Sequence, residues 1–507
     1  MTSVFHMYIQ PVYRSALALF IAIAAIRFVL LLPVGIAPDE AYYWTWAFVP
    51  SLSYFDHTAG IGWLGWLWLN IAGPEISGFR ALNGVLSVIT GLSSLAACLR
   101  LLPEELASHA TRQYFGGAFV FAVVLGLIPV QLNHLLWVPD SIYAPFYALA
   151  LWQICRLLGP ERRYEQSRQD AWIWAGIFFG GAILGKATMV PLVTLFGLIC
   201  IFSPRLRADL SNSVKPWIGL LIIIIAGLPT LYWNSQNDWI MMTYQQLNAF
   251  GGNFGWASVA GLLAGYILVL GPILGASFKQ NQWFKIIEPR ELMALFLGIS
   301  LLYFGMAFRA GLQLQWAIPA FHLGLILFLP SAFEKRYWVQ LSGSVIISFL
   351  VIAVLSIRSV GMSAANTYPA IVWPEVYHQL SRLKTQTEFQ YQEDVLLLAN
   401  RYQDASLLNY SRAAENGFDL VLEGEANSRT ILPALNMSSR SNHYDFLWPD
   451  LQLGGGLAIV VVRGQKFPPQ SLFHEVLESG KLIVGPDRVY AYSFGRLIDN
   501  PRSQLRY

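Results

Sequence analysis

The chain has 507 residues, 55% of them hydrophobic and 12% charged, with a formal net charge of +3. A soluble globular protein carries about 25% charged residues, so a fold that is water-soluble throughout is excluded. The basic residues fall between apolar stretches rather than on one surface, so the small positive balance points to no nucleic-acid partner.

From Arg14 to Arg358 apolar stretches of about 17–23 residues recur, each long enough to cross a hydrocarbon core of roughly 30 Å. The first, Leu17 to Leu32, lacks a small-residue cleavage site, so it reads as an uncleaved span rather than a signal peptide. Spans are predicted near 15–35, 79–101, 114–130, 140–158, 170–185, 187–203, 216–233, 256–277, 291–308, 312–330 and 338–357, about 11 in all. The three cysteines, Cys98, Cys155 and Cys200, lie inside predicted spans and form neither a tail disulfide nor a metal-type pair. After Arg358 the composition becomes ordinary. The expected division is a membrane domain over 1–360 and a soluble domain over 361–507, the latter of about the size usual for one compact domain.

The loops alternate in charge. One set carries Arg112; Arg156, Arg162, Arg163 and Arg168; Arg205, Arg207 and Lys215; Lys279, Lys285 and Arg290; and Lys335 and Arg336. By the positive-inside rule this set is cytoplasmic, and an odd span count puts the tail on the outer side with the other loops. Arg80, Lys186 and Arg309 stand against the rule at the outer side. Either they snorkel from helix ends, or they hold an anion at the outer surface.

The outer segment after the first span reads Ala37-Pro38-Asp39-Glu40-Ala41-Tyr42-Tyr43-Trp44-Thr45-Trp46, then Ser53-Tyr54-Phe55-Asp56-His57-Thr58-Ala59-Gly60. Pro38 ahead of two carboxylates is a helix start, and the Tyr/Trp run reads as an amphipathic interfacial helix. On the residues alone, one of Asp39 and Glu40 is explained as a cap, Asp56-His57 as a polar pair in a turn, and Asp140 as the cap of the span it opens.

The runs DEAYYWTW and SYFDH resemble the first outer loop of the bacterial polyprenyl-phosphate-sugar-dependent glycosyltransferases. That group is protein O-mannosyltransferase-like and includes the lipid A aminoarabinose transferase. Further motifs follow in family order: Trp137-Val138-Pro139-Asp140, Leu184-Gly185-Lys186-Ala187-Thr188, Tyr232-Trp233-Asn234 with Asp238-Trp239, Gln315 to Ala320, and Arg440 to Asp445. The chain departs from the family at Thr58-Ala59, where a proline pair is usual, and at Gln315, where asparagine is usual.

The resemblance implies a GT-C fold: a polytopic α-helical membrane protein with interfacial helices in the first outer loop, plus a small C-terminal α/β domain in the periplasm. It implies an inverting sugar transfer from a polyprenyl-phosphate donor to lipid A or another glycolipid, a polysaccharide or a protein, at the bacterial inner membrane. Such chemistry needs cations where charge grows on the departing phosphate, and a carboxylate facing the acceptor hydroxyl. Carried over residue by residue, Asp39 is the catalytic base. Lys186 and Arg309 hold the donor phosphate. Glu40 and Tyr42 contact substrate. Asp56, His57 and Asp140 bind a divalent Mg, Mn or Zn or lie beside the phosphate. The competing class is a transporter or flippase for a lipid-linked sugar, which would place ionisable residues near the bilayer midplane and show internal repeats. Here the ionisable residues cluster at outer span ends, and no internal repeat is found.

In the tail, Val395–Ala399, Leu420–Leu422, Ala458–Val462 and Val489–Ser493 read as strands. Glu375–Leu383 and Ser471–Ser479 read as helices, and Gly454-Gly455-Gly456 as a flexible loop ahead of a strand.

Overall fold

The computed structural model describes residues 11–32, 35–101, 136–158, 165–252, 255–278, 289–309, 314–330, 369–399, 401–415, 455–484 and 488–498. The predicted spans at 114–130 and 338–357, the strand at 420–422 and the Arg440–Asp445 motif lie outside them.

In chain order the helices are α1 (Pro11–Leu31), α2 (Pro38–Trp46), α3 (Gly60–Ala72), α4 (Ile76–Leu101), α5 (Pro139–Leu158), α6 (Glu165–Gly185) and α7 (Met189–Phe202). There follow α8 (Pro204–Asn212), α9 (Lys215–Gln236), α10 (Ile240–Phe250), α11 (Trp256–Phe278), α12 (Arg290–Arg309) and α13 (Ile318–Phe328). The tail contributes α14 (Pro369–Tyr391), β1 (Val395–Ala399), α15 (Tyr402–Glu415), β2 (Leu457–Arg463), β3 (Phe473–Val484) and β4 (Arg488–Leu497). The helices track the predicted spans closely. Among the described residues α4, α9 and α12 are long and apolar enough to cross a membrane, and the bent pair α7–α8 makes a fourth if counted as one span.

Contacts divide the chain into two compact units: Met1–Val29, His57–Ile61 and Arg80–Ile357 in the first, and Leu30–Asp56, Gly62–Phe79 and Arg358–Tyr507 in the second. The first outer segment therefore clusters with the tail, apart from its short stretch His57–Ile61.

The first unit is a helical bundle in which α6 and α9 meet at a close seam of small residues. A Cβ on Gly176 of α6 would come within 2.4 Å of the Gly219 carbonyl of α9, and one on Gly219 within 2.4 Å of the Trp172 carbonyl. One turn on, a Cβ at Gly180 would meet Ala226 at 2.9 Å. Lipid tails are as apolar as leucine, so helices in a bilayer gain by close backbone approach, which glycine permits. At the basic end, α7 and α8 meet at 90°. Ser203 makes the corner: its hydroxyl caps α8 by accepting from the Leu206 N–H and donates to Glu291 at 2.6 Å. Asp209 of α8 takes Arg168 in a two-pronged pair, at 2.6 and 3.1 Å, and Lys215 pairs with Asp170. The three cysteines are buried and free.

The second unit holds a four-stranded sheet of order β1-β2-β4-β3, with β1 and β2 parallel and the other pairs antiparallel. Apolar β1 and β2 are buried almost end to end, as expected of strands covered on both faces. Trp373 and Tyr391 of α14 pack on Tyr490 and Phe494 of β4.

Two expectations for the tail are corrected. Ser471–Ser479 is not a helix; β3 runs from Phe473 to Val484 as the hairpin partner of β4. Leu472, Phe473 and Val476 fit helical spacing, but pairing along β4 supplies backbone hydrogen bonds that a local pattern does not reveal. Two register shifts in β3 blurred the alternation. Gly455 and Gly456 are pinned rather than loose, exchanging backbone hydrogen bonds with Leu497 at 3.2 and 3.0 Å. The left-handed φ of Gly455, +74°, is what needs glycine there.

Candidate active site

The residues expected to act fall into two groups, one in each unit. In the second unit, α2 begins at Pro38, whose fixed φ suits the first helical position. The Glu40 carboxylate reaches back to accept the Ala37 N–H at 3.2 Å and is wholly buried. Glu40 is thus the capping acid, while its neighbour Asp39 is exposed. The rest of α2, Ala41 to Trp46, is buried.

Aromatic packing holds that helix. Trp46 stacks on Tyr54 at 3.9 Å with planes 7° apart, and the Tyr54 hydroxyl accepts from the Ser51 N–H and donates to the Val49 carbonyl. Gly62 leaves room for that hydroxyl, since a Cβ there would lie 1.8 Å from it. Trp44 donates to the Pro74 carbonyl at 2.7 Å and Trp63 to the Ser51 carbonyl at 2.8 Å. The Tyr42 hydroxyl donates to Asp56 at 3.4 Å, and both residues are buried. On its other flank Tyr42 meets Tyr402 of α15 at 4.4 Å, and Gln403 donates to Asp39 at 3.5 Å.

In the first unit Lys186 is 6% exposed and donates to Asp140 at 2.7 Å, with its ammonium 5.5 Å from the Tyr143 ring centre. Asp140 sits in the first turn of α5, and Lys186 directly follows α6. The two helix ends meet because of glycine: a Cβ on Gly185 would fall 2.8 Å from the Tyr143 backbone nitrogen. Thr58 donates to the Leu184 carbonyl at 2.7 Å, and Gly60 lies against the same carbonyl, where a Cβ would be 2.4 Å away. Thr58-Ala59-Gly60, which departs from the family's proline pair, therefore anchors His57 beside the Lys186 segment. Arg80 is buried on α4. Arg309 ends α12, exposed, and makes no ion pair with another described residue.

Asp56, His57 and Asp140 were expected as ligands of a divalent metal. Among the described residues no three His, Cys, Asp or Glu side chains come together as such a site. Asp140 pairs with Lys186, and Asp56 accepts from the Tyr42 hydroxyl. Sequence reasoning missed Thr58, Gly60, Gly185 and Gln403. The first three stood inside recognised motifs, where small residues beside charged ones signal close backbone approach.

These features define a polytopic helical membrane protein with exposed and paired ionisable residues at helix ends. A family model described as dolichyl-phosphate-mannose-protein mannosyltransferase matches residues 56–233. The chain is 24% identical over 300 residues to the lipid A galacturonosyltransferase RgtD of Rhizobium johnstonii, covering 57% of this chain and 59% of that protein's length. Its fold is that of ArnT from Cupriavidus metallidurans. The structure bound to undecaprenyl phosphate aligns over 94% of this chain and 97% of ArnT, with a TM-score of 0.56 at 14% identity. The apo structure aligns with a TM-score of 0.53 at 13% identity. The resemblance to polyprenyl-phosphate-sugar glycosyltransferases read from the motifs is borne out by all three comparisons.

Proposed function

We propose that the chain is a multi-pass glycosyltransferase of the bacterial inner membrane, moving a sugar from a polyprenyl-phosphate donor to lipid A or a related glycolipid on the periplasmic side. The observation that carries this reading is Asp39, an exposed carboxylate on a helix otherwise buried from Glu40 to Trp46. Support comes from the ArnT fold, from RgtD's action on lipid A, and from the charge alternation that puts this segment outside.

In the proposed reaction an acceptor hydroxyl attacks the anomeric carbon from the face opposite the phosphate, which inverts that centre. Asp39 accepts the hydroxyl proton as the new C–O bond forms. The old C–O bond breaks with its electron pair on the phosphate, and polyprenyl phosphate leaves. Lys186 meets the growing negative charge, and a desolvated ammonium does this more strongly than one in water. Asp140 holds the ammonium in place before the phosphate arrives. Arg309 supplies a second cation and His57 a neutral or charged donor at the phosphate. Glu40 and Tyr42 serve the substrate indirectly, by fixing the helix that carries Asp39.

The test uses the full-length protein in membranes with lipid A as acceptor and galacturonic acid, mannose or aminoarabinose on polyprenyl phosphate as donors, followed by mass spectrometry. One donor should add a single sugar to lipid A, and Asp39→Asn should slow that by about 100-fold or more. No gain in lipid A mass with any donor, or wild-type turnover in Asp39→Asn, would overturn the reading. Movement of the donor across vesicles with its sugar–phosphate bond intact would favour a flippase instead.

A further inference from the structure

Beyond the Lys186–Asp140 pair, the helices of the first unit carry a cluster of buried polar side chains. Tyr143 and Tyr147 follow Asp140 on α5 at a spacing that puts all three on one face. Deeper in the bundle the polar tips have partners. The Tyr147 hydroxyl donates to the Pro319 carbonyl at 2.9 Å and that of Tyr266 to the Ser300 hydroxyl at 2.8 Å, while the Ser94 hydroxyl hydrogen-bonds His322 Nε2 at 2.5 Å. Tyr303 of α12 breaks the pattern. It is 2% exposed, and its enclosed hydroxyl has no hydrogen-bond partner among the described residues. That hydroxyl lies within electrostatic reach of Asp140, Tyr143, Tyr147 and Tyr266, so it faces the same stripe of α5. Burying a hydroxyl without a partner costs free energy, and in a membrane bundle such a group points to a ligand that completes it.

Resting on the reading of Lys186 as the cation for the donor phosphate, we propose that Tyr303 is a further donor-binding residue, its hydroxyl donating a hydrogen bond to that same phosphate. Phosphate oxygens only accept hydrogen bonds, so they suit a hydroxyl donor in reach of an ammonium–carboxylate pair. The rest of the side chain suits the lipid. Ile299, Met306 and Ala307 are buried on the same face of α12 as Tyr303, which gives an apolar wall for the chain that begins at the phosphate. A ring with one polar tip matches a ligand that is apolar on one side of its ester oxygen and charged on the other. As the sugar–oxygen bond breaks, negative charge grows on the phosphate and the hydrogen bond strengthens. The contact therefore counts for more in the transition state than in the bound donor, while the proton stays on Tyr303.

The experiment compares full-length wild type with Tyr303→Phe, which removes the hydroxyl and keeps the ring. Binding of undecaprenyl phosphate is measured by native mass spectrometry in detergent, with undecaprenol as the control that lacks the phosphate. Tyr303→Phe should bind undecaprenyl phosphate about 10-fold more weakly, as loss of a hydrogen bond to a charged group would cause, and undecaprenol as wild type does. Because the hydroxyl has no partner before the ligand arrives, the variant should unfold at or above the wild-type temperature. In sugar transfer, kcat/KM for the donor should fall at least as far as the affinity, with the acceptor KM within about twofold. Wild-type affinity for undecaprenyl phosphate in Tyr303→Phe, or an equal loss for undecaprenol, would overturn the proposal. Failure of the underlying reading shows separately, as wild-type affinity for undecaprenyl phosphate in Lys186→Met.

Discussion

The α6–α9 seam and the packing around α2 are held together in opposite ways. At the seam, Gly176, Gly180 and Gly219 remove side chains so that backbones nearly touch. Around α2, Trp44, Trp46, Tyr42 and Tyr54 fill the space with rings, and Trp44, Tyr42 and Tyr54 tie their polar tips to carbonyls and a carboxylate. The difference follows the solvent. In a bilayer there is little to gain by burying large apolar side chains, so packing distance decides. Where water surrounds a segment, aromatic burial is the main driving force, and buried polar tips then need partners.

That contrast breaks if size changes act alike in both places. The largest effect expected is for Trp46→Ala, which empties a fully buried stack and should cost about 3–5 kcal/mol in thermal unfolding. At the seam the damaging direction is reversed: Gly219→Ala adds one methyl group against the Trp172 carbonyl and should cost about 1–3 kcal/mol. A Gly219→Ala protein as stable as wild type in detergent would refute close backbone packing there.

A similar contrast separates two ion pairs, one in each unit. Lys186–Asp140 is proposed to receive the donor phosphate, whereas Arg463–Asp404 ties α15 to β2. Lys186→Met should raise the KM for the polyprenyl-phosphate donor by about 10-fold or more, since a charge-assisted contact contributes roughly 1.5–3 kcal/mol. Its effect on the tail's unfolding should be nil. An unchanged donor KM and kcat would remove Lys186 from the phosphate site.

For the fastening pair the readout is pH. Burial pushes the Asp404 carboxyl above its ordinary value, more than the Arg463 and Arg401 charges and the Arg463 hydrogen bond pull it down. The folded state therefore holds that proton more tightly than the unfolded chain. Its stabilising effect is complete below the ordinary carboxylate value and is lost as pH rises through the raised folded value. Arg463→Gln should move this loss to higher pH, and Asp404→Asn should abolish it, in thermal unfolding of the full-length protein from about pH 3 to 7. Identical profiles for wild type and Asp404→Asn would show that Asp404 contributes no such linkage.

Much of the fold was legible because a span is a local property. Nine of the predicted spans have helices at their positions, since length and hydropathy alone satisfy a bilayer. The Pro38-Asp39-Glu40 start was legible too, though which acid capped was not, because both sit in the first turn and only burial separates them. Pairing was not readable. That Lys186 meets Asp140 depends on two helix ends brought together at Gly185, and β3 became a strand because β4 lay ready to pair with it.

α15 went unread altogether: its Leu407-Leu408 pair gives a weak stripe, and most of its order comes from Asp404, Tyr402 and Tyr410 finding partners far along the chain. Span positions, charge alternation and the segment holding the exposed acid could be read along the chain, because each depends on neighbours within one or two turns. Packing settled that Glu40 caps while Asp39 stays exposed, and that Gln403, 364 residues away, meets Asp39. Contacts across such separations depend on how elements pack, and no periodicity encodes them.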